Sequence, residues 1–168
     1  MTEPKRDPAT LLARYGDGPA RLEAAIAGLT GAELDLARSA DTWTIRQIVH
    51  HVVDGDDLWQ TCTKAALAAD EGVFSLQWYW DIPQDRWVEI WDYAGRPVES
   101  SLERFRANRR HIVDLLQRIP DAWERSIRIQ WPRGQEEQVT VWDVIDMQAG
   151  HTMGHIDDIR AIRRAHGV

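Results

Sequence analysis

The sequence predicts an all-α fold, a four-helix bundle with one long crossover and a small β-hairpin. Apolar residues recur at helical spacing in four segments, which begin near residues 9, 44, 97 and 141. About 28 residues separate the second segment from the third, enough for the chain to return along the bundle, so these two helices should run parallel. Alternating apolar residues on both sides of Pro132-Arg133-Gly134 indicate the hairpin, before the fourth helix.

Length and composition indicate one globular domain. At 168 residues, 43% apolar and 28% charged, the chain fits a single domain over residues 1–168, with residues 1–8 flexible. No apolar run could span a membrane and the first residues lack a signal-peptide core, so we expect a cytoplasmic protein. The net charge of −7 argues against nucleic-acid and anionic-membrane partners. The single cysteine, Cys62, excludes an internal disulfide and is expected to be a small buried residue.

The first two helices follow from spacing and capping signals. Apolar residues from Ala9 to Leu29 predict one helix, although Gly16-Asp17-Gly18-Pro19 would equally allow two. The second helix is expected to begin after Thr44, an N-cap candidate with Gln47 at the capping-box position, and to end near residue 69.

The second helix offers two adjacent histidines with different expected directions. Its inner face is predicted to consist of Ile48, Val49, Val52, Trp59, Thr63 and Ala66. His51 borders this face, whereas His50 shares the opposite face with charged residues that favour water. Asp56 also falls on the inner face, where a carboxylate needs a partner.

The crossover and the third helix bring aromatic and cationic candidates. The crossover's aromatic residues are Phe74, Trp78, Tyr79, Trp80, Trp87, Trp91 and Tyr93. They either pack against the bundle or line a pocket, and residues 85–93 could form a short helix.

The third helix is expected from about Pro97 to Arg118. Arg109 lies in its inner seam, where it either snorkels to the surface or meets an anionic substrate.

The fourth helix, Val141 to His166, is expected to start at the N-cap Thr140, with Asp143 three residues later. His151 and His155 lie one turn apart on its apolar face and either share a metal ion or bond to backbone carbonyls. His51 supplies a third inward imidazole. Three imidazoles leave a coordination position for water or substrate, as in catalytic zinc sites.

We therefore expect one divalent metal ion per chain, zinc or nickel first, with iron, cobalt and manganese as other candidates. Residues 43–54, together with His151-x-x-x-His155-Ile156, resemble the DinB/YfiT-like superfamily of metalloenzymes, and within it the YfiT-like bacillithiol transferases. The resemblance implies an up-down-down-up four-helix bundle with His51, His151 and His155 as metal ligands. The chain departs from that pattern around the last motif, where other members often carry more histidines.

The resemblance also implies a metal-dependent S-transferase that joins a low-molecular-weight thiol, of the bacillithiol or mycothiol type, to a small electrophile. In that reaction Asp56 would accept a proton or orient a ligand, and Arg109 would meet a carboxylate. Hydrolysis by metal-bound water is an alternative, weakened by the absence of an H-E-x-x-H arrangement. A non-catalytic, stress-related metal-binding or interaction module is another. The aromatic load of the crossover makes a homodimer our expectation.

Overall fold

Helices dominate the structure, which is a computed structural model that describes residues 6–69 and 71–168. Its helices are α1 (Pro8–Gly16), α2 (Gly18–Ile26), α3 (Gly31–Leu34), α4 (Ile45–Ala68), α5 (Gln77–Asp81), α6 (Gln84–Ile90), α7 (Glu99–Arg118) and α8 (Val141–His166). Its strands are β1 (Val73–Ser75), β2 (Ser126–Gln130) and β3 (Glu136–Thr140). The pair α1–α2, α4, α7 and α8 form the four-helix bundle that the sequence predicts. None of the described helices has the length and apolar character needed to cross a membrane.

The first predicted helix is two helices in the structure. Pro19 occupies the first turn of α2, where its missing N–H interrupts the hydrogen-bond ladder that a single helix would need. The prediction of one helix is therefore wrong, and its two-helix alternative is confirmed. The predicted flexibility of the N-terminus concerns mainly residues 1–5, which lie outside the described residues. Asp7 already caps α1 by accepting a hydrogen bond from the Ala9 amide.

The starts of α4 and α8 are confirmed by complete capping boxes. Thr44 and Gln47 bond each other's backbone amides at the start of α4, and Thr140 and Asp143 do the same for α8. The start of α7 was predicted wrongly, because Pro97 lies two residues before its first helical residue. The carbonyl just before Pro97 is held by a side chain of α4, which keeps this backbone out of the helix.

Side-chain contacts establish the direction of each helix. His50 of α4 contacts Ser101 of α7, and Asp56 contacts Arg109, so residue numbers rise together and the two helices run parallel. Arg14 of α1 contacts the start of α8, and Ala25, near the end of α2, contacts Arg163 near the end of α8, so the α1–α2 pair also runs parallel to α8. The bundle is therefore up-down-down-up, as the resemblance implied.

The predicted hairpin is part of a three-stranded sheet. β2 and β3 pair antiparallel, with Ile127 opposite Val139, and Ile127 and Ile129 turn into the core. β1, from the crossover, adds a parallel edge to β2. β1 escaped prediction because it is three residues long and pairs with a strand more than 50 positions away, which no local pattern reveals.

The core consists of two apolar clusters that meet at a buried polar layer. One cluster joins α1, the C-terminal half of α4, the sheet and the start of α8, and the other joins α2, the start of α4 and the end of α8. Between them lie Asp56, Arg109, Gln148 and Thr152, each at most 2% exposed. The predicted inner face of α4 is buried, as expected. The snorkelling alternative for Arg109 is wrong, because its guanidinium finds partners inside the bundle.

Candidate metal centre

Three histidine side chains converge where α4 crosses α8. The Nε2 atom of His51 lies 3.2 Å from Nε2 of His151, which in turn lies 3.1 Å from Nε2 of His155. One nitrogen from each ring lies within 4.8 Å of the other two. His51 is buried and the other two are half-buried, so the group sits just below the surface.

The helices explain why the rings meet. His151 and His155 are four residues apart on α8, so their side chains stand above one another on one face. Facing them on α4 is Gly55, whose missing side chain leaves room beside the His151 ring; a Cβ there would come 3.8 Å from Cε1 of His151. His51, one turn before Gly55, completes the group from the facing helix.

Two of the three nitrogen separations match the spacing of a tetrahedral metal site. Nitrogen ligands about 2.0–2.1 Å from a zinc ion, placed tetrahedrally, lie about 3.3 Å apart. The observed Nε2 separations of 3.1 and 3.2 Å are close to this value. The alternative of histidines bonded to backbone carbonyls finds no support among the described residues, where these rings form no such hydrogen bond. The three histidines could therefore hold a divalent metal ion.

Burial keeps the imidazoles neutral. Burial, helped by the two neighbouring rings, lowers the pKa of His51 to about 3. Burial lowers the pKa of His151 to about 4, with His155 and Arg109 acting in the same direction. Burial also lowers the pKa of His155, although Asp158 opposes this effect. All three nitrogens are therefore free to accept a metal ion at neutral pH.

The surroundings of the three rings differ. Nδ1 of His155 lies 3.4 Å from Oδ2 of Asp158, an electrostatic contact without a hydrogen bond. Asp158 is also 3.6 Å from the Arg38 guanidinium. The Trp43 ring packs on the His51 ring, with centroids 4.6 Å apart. Nδ1 of His151, like Nδ1 of His155, is buried without a hydrogen-bond partner among the described residues.

A cavity opens beside the histidines. Its volume is about 330 Å³, and it reaches the cluster at His155. The other described residues that line it are Arg38, Asp41, Thr42, Trp43, Ile48, Asp158 and Ile162. A small molecule bound in this cavity would touch the metal centre. Sequence reasoning missed Arg38, Asp41, Trp43 and Asp158, because the loop before α4 meets α8 only in the folded chain.

Asp56 and Arg109, the predicted catalytic residues, face each other in the polar layer. Nε of Arg109 donates to Oδ1 of Asp56 at 2.7 Å, and both side chains are 1% exposed. Burial raises the pKa of Asp56 to about 6, although Arg109 opposes the rise, so the carboxylate is charged at neutral pH. Neither residue lines the cavity beside the histidines. Their catalytic roles stay predictions. The structure places both side chains deeper in the bundle than His151.

The predicted exposure of His50 is wrong. His50 is fully buried, because the end of the crossover and the start of α7 cover the second face of α4. Its Nδ1 meets Ser101 Oγ at 2.9 Å, and its Nε2 meets the Arg96 carbonyl at 3.1 Å. The expectation that only His51 joins the histidine cluster agrees with this placement.

Cys62 is fully buried, and burial raises the pKa of its thiol to about 12. It therefore behaves as the small apolar residue that the sequence predicts, and not as a nucleophile.

Comparisons with known proteins agree with the fold. A family model described as the DinB superfamily matches residues 14–159. The Bacillus subtilis protein named "Putative metal-dependent hydrolase YfiT" is 25% identical over 158 residues, covering 89% of this chain and 80% of the relative. A Bacillus cereus protein named "Putative metal-dependent hydrolase" is 27% identical over 155 residues, covering 92% and 84%. The solved structure of YfiT, described as having an unusual four-helix bundle topology, matches with a TM-score of 0.82 at 20% identity over 99% of this chain and 94% of that chain. This last likeness shows a shared fold.

Proposed function

The chain belongs to the DinB superfamily, and we propose that it is an enzyme that works with one divalent metal ion held by His51, His151 and His155. The observation that carries this proposal is the convergence of three Nε2 atoms, 3.1 and 3.2 Å apart, at the end of a cavity. Three protein ligands leave a position for a reacting group, unlike the closed ligand sets of structural sites. Zinc and nickel are the first candidates, because both accept imidazole ligands.

Hydrolysis is the reaction that we propose first, in line with the names of the relatives. When bound, the ion supplies Lewis-acid activation of a nucleophile and of the group under attack. The chain's own residues confine the reactants: Asp158 lies beside the His155 ring, and Trp43 shields one side of His51 from water. Asp41 lines the cavity without an ion pair among the described residues, so it is our candidate to accept the nucleophile's proton.

Transfer of a low-molecular-weight thiol to a small electrophile is the second candidate. The ligand group contains three neutral imidazoles and no carboxylate, so it leaves the full positive charge of the ion to stabilise an anionic thiolate. A thiol that ionises in this way needs no separate base. Arg38, at the cavity's edge, could meet a carboxylate of such a thiol.

Metal analysis and two sets of assays test the proposal. We expect about one metal ion per chain, lost in His155→Ala and kept in His111→Ala, a control at an exposed histidine of α7. Activity is then measured on esters and amides without a thiol, and on electrophiles with a panel of thiols. Full metal content in His155→Ala, or equal activity with and without metal, would contradict the proposal.

Asp41→Asn separates the two reactions. Hydrolysis should fall by roughly 100-fold in this variant, because it loses the base, whereas thiol transfer should change little. A loaded protein that turns over no substrate in either assay would favour a non-catalytic metal-binding module instead.

A further inference from the structure

The crossover forms a second cleft next to the metal centre. The cleft has a volume of about 360 Å³, and its described lining residues are Trp43, Tyr79, Trp80, Pro83, Gln84 and Asp85. Trp43 also lines the cavity that reaches His155. The two spaces therefore lie next to each other, on either side of the Trp43 side chain.

Three of the six described residues that line the cleft are aromatic. The rings of Tyr79 and Trp80 stand at 89° to each other with centroids 4.6 Å apart, and Trp43 adds a third ring. Gln84 donates a hydrogen bond to the Tyr79 hydroxyl, and Trp131 packs 5.8 Å from the Trp80 ring, so both rings are held in place. Trp80 remains 40% exposed, which leaves part of its surface open to a ligand.

The charge of the cleft has one sign. Asp85 brings a carboxylate that forms no ion pair with any described residue, and no Lys or Arg is among the described lining residues. The faces of aromatic rings carry partial negative charge from their π electrons. An anion would therefore be repelled by both the rings and the carboxylate, whereas a cation would be attracted by both.

We propose that this cleft binds an organic cation of the quaternary ammonium class. Such a group is weakly hydrated and covered with methyl groups, so it can leave water for an aromatic site while its charge meets the ring faces and Asp85. Adjacent aromatic rings are the arrangement that recognises this class of ligand. The further step, that the cation belongs to a substrate whose other end reaches the metal, rests on the proposed function.

The test compares choline with 3,3-dimethylbutan-1-ol, which has the same shape but no charge. Both are titrated into the full-length, metal-free protein and followed by ligand-observed NMR. We expect choline to bind at least fivefold more tightly than the alcohol, the scale of a cation–π contact with a nearby carboxylate. Equal affinities would overturn the proposal, because they would show a cleft that recognises apolar shape alone.

Two variants and two matched controls locate the binding. Trp80→Leu and Asp85→Asn should each weaken choline binding about fivefold. Two control variants should leave choline binding unchanged. Trp91→Leu replaces an exposed crossover tryptophan that stacks on Trp87 outside the cleft, and Asp114→Asn replaces an exposed carboxylate of α7. Choline binding that both cleft variants leave intact would also overturn the proposal. Because the titration uses metal-free protein, failure of the metal-dependent reaction would appear in turnover and not here.

Discussion

At the scale of single residues, burial does not distinguish a metal ligand from a structural histidine. His50 is 0% exposed and His51 is 7% exposed, so exposure alone would favour the wrong residue. The hydrogen-bond partners of the two rings distinguish His50 from His51. Both nitrogens of His50 meet protein atoms of the crossover and α7, whereas Nε2 of His51 meets only another histidine. A buried polar atom without an ordinary partner is the stronger indication of a ligand site.

Replacing each of these histidines should give opposite results in two measurements. His51→Ala should weaken metal binding by at least tenfold, because it removes a ligand, while the apo fold loses little polar bonding. His50→Ala should leave metal affinity nearly unchanged but lower the free energy of unfolding by about 1–3 kcal/mol, since Ser101 and the Arg96 carbonyl lose a partner. Metal titration and urea unfolding of both variants decide the matter, and a larger metal defect in His50→Ala would contradict the assignment.

The sequence could predict the three members of the histidine cluster, because helical periodicity places His51, His151 and His155 on inner faces without knowledge of the neighbours. It could not predict that His50 is buried. A helical wheel identifies one inner face, whereas α4 is covered on a second side by the residues that end the crossover. The sequence also could not predict the cavity residues that lie outside α4 and α8, because their distance from the histidines depends on the path of the loop before α4.

At the scale of elements, one side chain connects the four segments of the bundle. Arg109 of α7 donates to Asp56 of α4, to the Tyr15 carbonyl of α1, and to Thr152 and the Gln148 carbonyl of α8. Its guanidinium also lies over the Tyr15 ring, 3.8 Å from the centroid. Such a buried network satisfies its polar atoms only when all the helices are in register.

Breaking this network should strongly lower the free energy of unfolding. Arg109→Met should lower the free energy of unfolding by about 3–5 kcal/mol, because it leaves the Asp56 charge buried without its partner. The double variant Asp56→Leu with Arg109→Met should recover part of that loss, since no charge is then stranded. The control is Arg104→Met, which removes an exposed ion pair to Asp57 and should cost no more than about 1 kcal/mol. Similar losses for Arg109→Met and Arg104→Met in urea unfolding would refute a structural role for the buried pair.

Element boundaries were predictable where a local chemical signal sets them. Thr44 and Thr140 begin helices because their side chains bond amides three residues later, and that signal is visible in the sequence. The break between α1 and α2 and the delayed start of α7 depend on which of two permitted backbone paths packs better. β1 depends entirely on its distant partner β2.

At the scale of the whole molecule, the histidine cluster makes the metal-free protein sensitive to acid. Unfolded histidines take up protons near pH 6.5. His51 and His151, with pKa values of about 3 and 4 in the folded chain, do not take up protons until much lower pH. Between these limits the unfolded state binds more protons, so its free energy falls relative to the folded state as the pH drops. Asp56 acts oppositely, because its raised pKa of about 6 makes the folded state bind the extra proton.

His51 and His151 against Asp56 leave a net difference of about one proton, and the lowered pKa values of His50 and His155 add to it. The free energy of unfolding of the metal-free protein should therefore fall by at least about 1.4 kcal/mol per pH unit between pH 6 and pH 4. Urea unfolding at a series of pH values measures this slope. The double variant His51→Ala with His151→Ala is the control, in which the slope should be smaller, because these two side chains no longer take up protons on unfolding. A slope that is the same in both proteins would show that other groups cause the acid sensitivity.

The up-down-down-up order also governs what happens while the chain is being made. The two halves of the histidine cluster are 100 positions apart, and α8 comes last although α1, α2 and α4 all pack against it. A nascent chain that has not yet emerged past residue 141 carries His51 and the apolar faces of three helical segments with nothing to cover them. Such faces invite association with other chains until they are buried. Under the proposed function, metal capture by His51, His151 and His155 would therefore be a late event, because it requires that the ribosome has delivered α8.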